Sequence, residues 1–533
     1  MRSVNTIWLL VSVIALLTIL YLQPIYFLYS DDPRYIYLLS GVYTGTPCAE
    51  VVFMGYLFGK LCSWLYSISS SIEWYTVILY GLYLLSYIVI TWHVLKWKPQ
   101  KAFVKYIAAS SFFVFQIYLL LIPQNTILSI ELSFASLVVM LNSDYCFKKK
   151  SYGILLFFIA TQIRLSAAFI PYMIACPLFL CNFRWNDASW WKNRISLAGL
   201  IVVAAITFLT NKSAYSDEQW KEFNEYNEAR GFLADNPIAG ELTSQIANKE
   251  DRLAYDLFYR YRIFDQNILT LKKIKNYKKI YEDKRDEVVR KNIRPYVNAY
   301  KNMGGGWVLL VLLWTFLGLL KKKKLYILIN LIMVIAFFIA ANLFIMSTSF
   351  PKEHVMLGCI LTFFFAIIYI SHNYVKYTEL LLVIICLSLG FKYINLNYSQ
   401  SLFLLSRNNE ITEVEQILGQ CESEKVMLPV PTQLVPEVFH TSSSLIGEKG
   451  VIQGWMHIYP KADLSYQPFT AFVEGLPLLV KKNATEQIGI IKSLLKLHYN
   501  INATHIILKE SENYYLIRLL ADANSDSYPT PSI

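Results

Sequence analysis

The sequence predicts an α-helical, polytopic membrane protein that also carries soluble segments. Of its 533 residues, 55% are hydrophobic and only 16% are charged, and the mean hydropathy is +0.38. Apolar runs long enough to cross a bilayer recur along the chain, which soluble domains do not show. Much of the net charge of +11 lies in short loops between these runs. It therefore indicates orientation in a membrane rather than binding to nucleic acid.

About eleven membrane helices are predicted. The first, residues 6–28, is too long for a removed signal peptide and lacks a small-residue cleavage site, so it is predicted to be a retained anchor. Residues 152–181 are too long for one helix and are predicted to form a helical hairpin with Arg164 near its tip. The other predicted spans are 74–95, 104–122, 126–141, 196–209, 307–320, 325–346, 355–371 and 378–389.

Four regions follow from this pattern. An N-terminal membrane module covers residues 1–210 and includes a first outer loop at 29–73; a mainly helical outer-face insertion covers 211–305. Membrane helices return at 306–392, and a small α/β soluble domain covers 393–533. Within that domain, helices are predicted at 413–419 and 486–498 and strands at 425–428, 503–509 and 514–519.

Basic clusters in the short loops predict the orientation of the chain. They lie at 96–105, 148–150, 184–194 and 321–324, on alternate loops, and Lys and Arg are retained on the cytoplasmic side. The insertion and the C-terminal domain are then outside. The N-terminus is predicted to be cytoplasmic if residues 49–67 do not cross the membrane.

Residues 49–67 leave two alternatives open. Glu50 and Lys60 favour a helix lying flat on the membrane, because a central charge costs roughly 2.5–3.5 kcal/mol in a spanning helix. However, Gly55, Gly59 and Ser63 recur every four residues, a pattern that also packs spanning helices together. Asp31 is outside in the first case and cytoplasmic in the second.

The candidate catalytic residues are Asp31 and Asp32, directly after the first span. A carboxylate there can act as general base towards an incoming hydroxyl, although the pair can equally serve only to stop the helix. The cations Arg34, Arg164 and Lys352 are predicted at the same face, where they would bind a phosphate group. For Arg164, neutralising a neighbouring acid or reaching towards the headgroups is an open alternative.

Four further residues are candidates for supporting or acceptor-binding roles. Glu131 lies within a predicted span, where it is either paired in the bundle or part of a polar cavity. His354 lies in an outer turn beside Lys352. Trp220 and Arg230 belong to an acidic and aromatic stretch that forms either a packed amphipathic helix or one wall of an acceptor groove. No cofactor is predicted with certainty. The adjacent aspartates are compatible with a divalent metal but do not define a site, and no cysteine motif with metal-ligand spacing is present.

Several stretches resemble known proteins. The first span is followed by Asp31 and Asp32 and then by predicted interfacial helices, and residues 148–171 form a basic turn, an apolar helix, an arginine and a second apolar helix. Together these features resemble the GT-C superfamily of integral membrane glycosyltransferases. Residues 30–47, SDDPRYIYLLSGVYTGTP, and residues 220–235, WKEFNEYNEARGFLAD, are also similar to a set of uncharacterised bacterial membrane proteins of cell-surface polysaccharide assembly. The resemblance to the GT-C superfamily covers about residues 1–400 and is carried by short motifs.

The resemblance implies an inverting transfer from a polyprenyl-phosphate or polyprenyl-diphosphate sugar to a glycan or lipid acceptor. Transfer would occur at the outer face of a bacterial inner membrane, with a first-loop Asp as base and, in some members, a metal ion. Two other functions are retained: an O-antigen or capsule polymerase or ligase, and a flippase or transporter of lipid-linked sugars. A transporter is disfavoured because no internal repeat is visible. The sequence predicts no oligomeric state.

Overall fold

The computed structural model confirms a mainly helical membrane protein with one small sheet near the C-terminus. It describes residues 2–23, 25–27, 31–96, 103–142, 147–180, 188–234, 237–283, 285–302, 309, 312–317, 319, 325–348, 352–371, 378–428, 434 and 436–522.

The described helices and 3-10 turns follow one another along most of the chain. They are α1 (Arg2–Leu22), α2 (Asp31–Leu39), α3 (Tyr56–Ile68), α4 (Trp74–Lys96), α5 (Phe103–Leu121), α6 (Asn125–Leu141), α7 (Phe147–Leu180), α8 (Ala188–Ala214), α9 (Glu218–Ala234), α10 (Lys249–Tyr261), α11 (Leu271–Glu282), α12 (Arg285–Asn302), α13 (Leu325–Thr348), α14 (Glu353–Ser371), α15 (Thr378–Gly419), α16 (Leu445–Lys449), α17 (Thr470–Val473) and α18 (Glu486–Tyr499), with 3-10 turns at Pro237–Gln245, Leu464–Tyr466 and Lys482–Ala484.

Five strands form the C-terminal sheet: β1 (Val426–Leu428), β2 (Gly450–Ile452), β3 (Leu478–Lys481), β4 (Ala503–Glu510) and β5 (Tyr514–Ala521). Their order is β2-β1-β3-β5-β4; β1 pairs in parallel with β2 and β3, and β5 is antiparallel to β3 and β4. The predicted α/β module is confirmed, with α18, β1, β4 and β5 within two residues of their predicted ends. β2 and β3 were not predicted, because runs of three or four buried residues carry no alternation.

The chain divides into two compact units. Unit 1 comprises residues 1–28, 49–214 and 289–404, and unit 2 comprises 29–48, 215–288 and 405–533. The predicted four-part division of the chain assigned the first outer loop to the membrane module. In the structure, residues 29–48 instead group with the C-terminal sheet.

Unit 1 contains the apolar helices. Among the residues that the structure describes, six helices are long and apolar enough to cross a membrane: Val4–Leu22, Trp74–Lys96, Phe103–Leu121, Lys148–Phe179, Leu197–Ala214 and Ile327–Ile345. Two shorter apolar helices lie at Asn125–Leu141 and Val355–Ile370. The count of eleven spans stays a prediction, since most of 307–320 and the basic cluster 321–324 lie outside the described residues.

α7 is the predicted hairpin. Its helical backbone breaks at Arg164, whose φ of −157° and ψ of 101° are extended. Ser129 Oγ on α6 lies 2.9 Å from the carbonyl oxygens of both Ala160 and Arg164. Seven residues further along α6, Ser136 Oγ contacts the Gly153 carbonyl on one half and the Tyr172 hydroxyl on the other. Both halves therefore run alongside α6, and Arg164 forms the tip.

α3 does not meet the length requirement for a span. Thirteen residues of α-helix extend about 20 Å, whereas the hydrocarbon core is about 30 Å thick. Its glycines are packing positions: the Gly55 N–H donates to the Gln162 carbonyl at 2.6 Å, and a Cβ at Gly59 would lie 2.2 Å from the Ala49 carbonyl oxygen. The opposite side exposes apolar residues, among them Trp64 and Ile68.

Gly55 is expected to hold the hairpin tip close to the start of α3. In a Gly55→Ala variant, the new Cβ would lie 2.7 Å from the backbone of Gln162, so one element must move. We expect a loss of about 1–3 kcal/mol of stability, seen as a lower midpoint of thermal unfolding in detergent. The matched control is Gly81→Ala on α4, where nothing lies within 4 Å. Equal midpoints for the two variants would contradict this packing role.

Candidate functional site

Asp31 and Asp32 lie at the start of a helix and do not serve only to end the first span. α1 stops at Leu22, six residues before the predicted end of the first span, and Asp31 and Asp32 form the first turn of α2. Carboxylates are favoured there by the partial positive charge of a helix N-terminus. Pro33 also suits the first turn, where no intrahelical N–H partner is needed.

The two aspartates lie in different environments. The Asp31 side chain is 34% exposed, and its Oδ1 lies 3.2 Å from the Trp455 indole nitrogen and 3.5 Å from Arg34 Nη1. Asp32 is completely buried. A group that exchanges a proton with a substrate must be within hydrogen-bond reach of it. The geometry therefore distinguishes the two residues, which the sequence could not.

Arg34 joins α2 to the C-terminal part of unit 2. Its side chain is only 6% exposed, its Nη2 donates to the Gln453 carbonyl at 3.1 Å, and its guanidinium lies 5.8 Å from the Trp455 ring centroid. Burial lowers the pKa of Arg34, and the Asp31 charge opposes this shift. Gly454 turns the chain here with φ +93°, a conformation that residues with a Cβ rarely adopt.

We name Gln453–Tyr459 the 453–459 segment. This segment contacts Asp31 through Trp455 and Arg34 through the Gln453 carbonyl. In addition, its Met456 carbonyl accepts a hydrogen bond from the Tyr43 hydroxyl at 3.4 Å, and its Tyr459 hydroxyl lies 2.8 Å from Cys48 Sγ. The contacts of this segment with Asp31 and Arg34 were not predicted from the sequence. The one local signal is a Gly-Trp pair, which is too common to locate a site.

His457 is buried in the same segment. Its Nδ1 lies 3.5 Å from Gln453 Nε2 and its Nε2 lies 3.4 Å from the Gln467 carbonyl. Burial lowers the pKa of His457 to about 4 from the ordinary 6.5, although the Gln467 contact opposes this shift. The imidazole is therefore neutral in the folded protein at neutral pH.

His457 is expected to make unit 2 sensitive to acid. As pH falls from about 6.5 to 4, the unfolded chain takes up a proton on this histidine and the folded chain does not. The unfolding free energy should fall across that window, by at most roughly 3 kcal/mol, and this contribution should level off below it. His457→Asn should reduce the slope of the unfolding midpoint against pH; His440→Asn, at an exposed side chain, is the matched comparison. Equal slopes in both variants would rule His457 out as the source.

Arg164 and Lys352 come to the same end of unit 1. At the hairpin tip, Arg164 is half-buried; its Nη1 donates to Thr126 Oγ1 at 2.8 Å, and its guanidinium lies 5.3 Å from the Phe53 ring centroid. Phe53 itself has φ +67°, which is unusual for a residue with a large side chain.

The placement of Lys352 follows from the direction of α14. α14 runs parallel to α6: a Cβ at Gly358 would meet Ile130, and further along the Tyr369 hydroxyl donates to the Leu141 carbonyl at 3.2 Å. Lys352 directly precedes α14 and is half-buried. It thus lies towards the end of α6 that carries Thr126, Arg164's partner.

The four supporting candidates are placed as follows. Glu131 is buried in unit 1, with Oε1 2.6 Å from Ser86 Oγ, which matches the alternative of pairing within the bundle. The His354 side chain lies outside the described residues. Trp220 is 3% exposed and packs edge-on against Tyr459, and buried Arg230 donates to Asn227 Oδ1 at 2.6 Å. Both lie in the interior of unit 2, and their acceptor-binding roles stay predictions.

Asp31 and Asp32 do not belong to a metal site in the part of the chain that the structure describes. No group of three or more His, Cys, Asp or Glu side chains within those residues could hold a metal ion. Asp31 faces an indole N–H and a guanidinium, which are hydrogen-bond donors and not metal ligands. The residues around Asp31 therefore do not fit the metal used by some members of the superfamily that the sequence resembles.

The fold defines a multi-pass α-helical membrane protein in which a second compact unit is assembled from three separate stretches of chain. No protein-family model matches the sequence, and no curated protein matches it. Two solved structures are similar to it: ArnT from Cupriavidus metallidurans in the apo state and the same protein bound to undecaprenyl phosphate. Each is 10% identical and covers 96% of this chain and 98% of its own, with TM-scores of 0.42 and 0.43. At these values the likeness assigns neither a fold family nor a function.

Proposed function

We propose that the protein is a membrane glycosyltransferase that moves a sugar from a polyprenyl-phosphate-type donor to a glycan or lipid acceptor at the outer face of the inner membrane. The Asp31 carboxylate carries this proposal. It starts a helix just beyond the first span, is held by Arg34 and Trp455, and stays partly exposed. These are the properties that a general base needs.

The assembly of unit 2 from three stretches of chain supports an outer location for Asp31. Buried contacts such as Arg34 to the Gln453 carbonyl tie residues 29–48 to the C-terminal sheet, and Asp265 Oδ2, bonded to the Phe469 N–H at 2.8 Å, ties in the insertion. A compact unit of this kind cannot be divided by a bilayer, so its three segments share one side. The basic clusters in the short loops predict that this side is the outside.

The number of crossings agrees with this arrangement. Residues 48 and 215 both belong to unit 2, so the chain between them must cross the membrane an even number of times if unit 2 lies on one side. α4, α5, α6, the two halves of α7 and α8 supply an even number, provided that α3 does not cross. This favours the flat alternative for residues 49–67, in agreement with the short length of α3.

In the proposed reaction, the Asp31 carboxylate takes the proton of an acceptor hydroxyl as its oxygen attacks the anomeric carbon of the donor sugar. The bond from that carbon to the phosphate oxygen breaks, the configuration inverts, and polyprenyl phosphate leaves with the electron pair. Arg164 and Lys352 are proposed to bind the phosphate, whose negative charge increases as the bond breaks. Asp32 is buried and is assigned no proton transfer.

The proposal is tested by mass spectrometry of polyprenyl lipids, envelope lipids and glycans from cells with and without the protein. We expect one sugar mass to be added to an acceptor as the matching polyprenyl-phosphate sugar declines. A change in glycan chain length alone would indicate a polymerase. A change only in the side of the membrane on which lipid-linked sugar is found would indicate a flippase. Either of these results would reject the transferase.

A further inference from the structure

We propose that Trp455 is a positioning residue for the Asp31 carboxylate, so that the C-terminal domain supplies part of the catalytic apparatus. This inference rests on the proposed function, because it assigns Trp455 to the step in which Asp31 takes the proton of the acceptor. It also gives the C-terminal domain a role that its sequence does not indicate.

The hydrogen bonds to Asp31 determine which of its oxygens is available. In the part of the chain that the structure describes, both end on Oδ1: one from the Trp455 indole at 3.2 Å and one from Arg34 at 3.5 Å. An indole N–H can only donate, so it favours the charged carboxylate and fixes the carboxyl plane. Oδ2 is thereby left for the acceptor hydroxyl.

Trp455 is itself held rigidly. It is 2% exposed, which excludes stacking on a sugar ring, and its ring lies 6.1 Å from that of Tyr35 and 5.8 Å from the Arg34 guanidinium. The adjacent Gln453 carbonyl accepts from Arg34, and Gly454 makes the turn between them. The 453–459 segment therefore orients both Asp31 and its ion-pair partner.

The segment also connects Asp31 to the insertion. Phe264 packs edge-on against His457 with ring centroids 5.8 Å apart, and Trp220 packs against Tyr459 at 5.3 Å. The base is thus supported by residues of the insertion that are distant from it in sequence. Positioning groups of this kind act through geometry and hydrogen bonding, not through contact with substrate.

The test compares Trp455→Phe with Trp74→Phe in the full-length protein. Both variants lose an indole N–H bonded to an oxygen; Trp74 belongs to unit 1 and donates to the Ser69 carbonyl at 2.9 Å. Initial rates of transfer from the endogenous polyprenyl-linked sugar pool are measured against pH in right-side-out membrane vesicles.

Trp455→Phe should lower the plateau rate about tenfold, as expected for one lost hydrogen bond to a charged group. It should also move the low-pH limb of the profile to higher pH, because the charged carboxylate has lost a donor. Trp74→Phe should change neither. Should Trp455→Phe fail to fold, Gly454→Ala is the second variant: it strains the turn that precedes Trp455 and should move the low-pH limb in the same direction.

A wild-type rate and profile in Trp455→Phe, together with an inactive Asp31→Asn variant, would overturn the positioning role and leave the proposed function intact. A lower rate with an unmoved pH limb would also overturn it, since loss of packing alone would produce that result. If Asp31→Asn is itself fully active, the proposed function has failed rather than this inference alone.

Discussion

Asp31→Asn is expected to reduce sugar transfer by about 10²–10⁴-fold, the usual contribution of a general base. The amide is nearly the same size and can still accept hydrogen bonds from Trp455 and Arg34, so unit 2 should fold normally. It cannot take up the acceptor proton at neutral pH. The measurement is the initial rate of transfer in membrane vesicles, normalised to the amount of folded protein.

Asp32→Asn is the matched control. It makes the same chemical change one residue away, at a side chain that is completely buried. We expect an effect mainly on thermal stability, with the rate per folded molecule within about tenfold of wild type. Loss of transfer in Asp32→Asn with retention in Asp31→Asn would reverse the assignment, and full activity in the double variant would reject it.

Arg164→Gln is expected to weaken donor binding by about 10- to 100-fold, the usual cost of one lost hydrogen bond to a charged group. Arg164 lies at the hairpin tip, where its backbone is extended and Thr126 accepts from its guanidinium. Lysine retains the charge but not the planar two-donor geometry, so Arg164→Lys should be intermediate. The measurement is competition of undecaprenyl phosphate with the endogenous donor in the vesicle assay.

Ser151→Ala provides the comparison on the same hairpin. Ser151 is exposed and lies in the first turns of α7, where its hydroxyl donates to the Lys148 carbonyl of the same helix. It should leave the competition curve unchanged. If Arg164→Gln also leaves it unchanged, Arg164 is not a phosphate ligand, and its role is limited to the bond with Thr126 and the contact with Phe53.

Much of the fold could be predicted because it depends on local patterns. The hairpin followed from an apolar stretch too long for one helix with a single arginine at its middle. The strands β4 and β5 followed from β-branched and aromatic runs that lie between turn residues. In both cases the signal is contained within a few tens of residues.

The candidate site could be predicted only in part, because its contacts are not local. Asp31 and Arg34 were identified from their position after the first span, but their partner Trp455 is 424 residues from Asp31. No periodicity or spacing connects such positions. For the same reason, the sequence left Trp220 either in the wall of a groove or on a packed helix. The low exposure of Trp220 and its ring contact with Tyr459 show a buried packing position.

The side of the membrane occupied by residue 34 tests the central claim most directly. Reporter fusions after Arg34 and after Asp217 report the location of two segments that belong to the same compact unit. Both are predicted to lie outside. A cytoplasmic location after Arg34 would remove Asp31 as an outer-face base, and opposite sides for the two fusions would contradict the assembly of unit 2 itself.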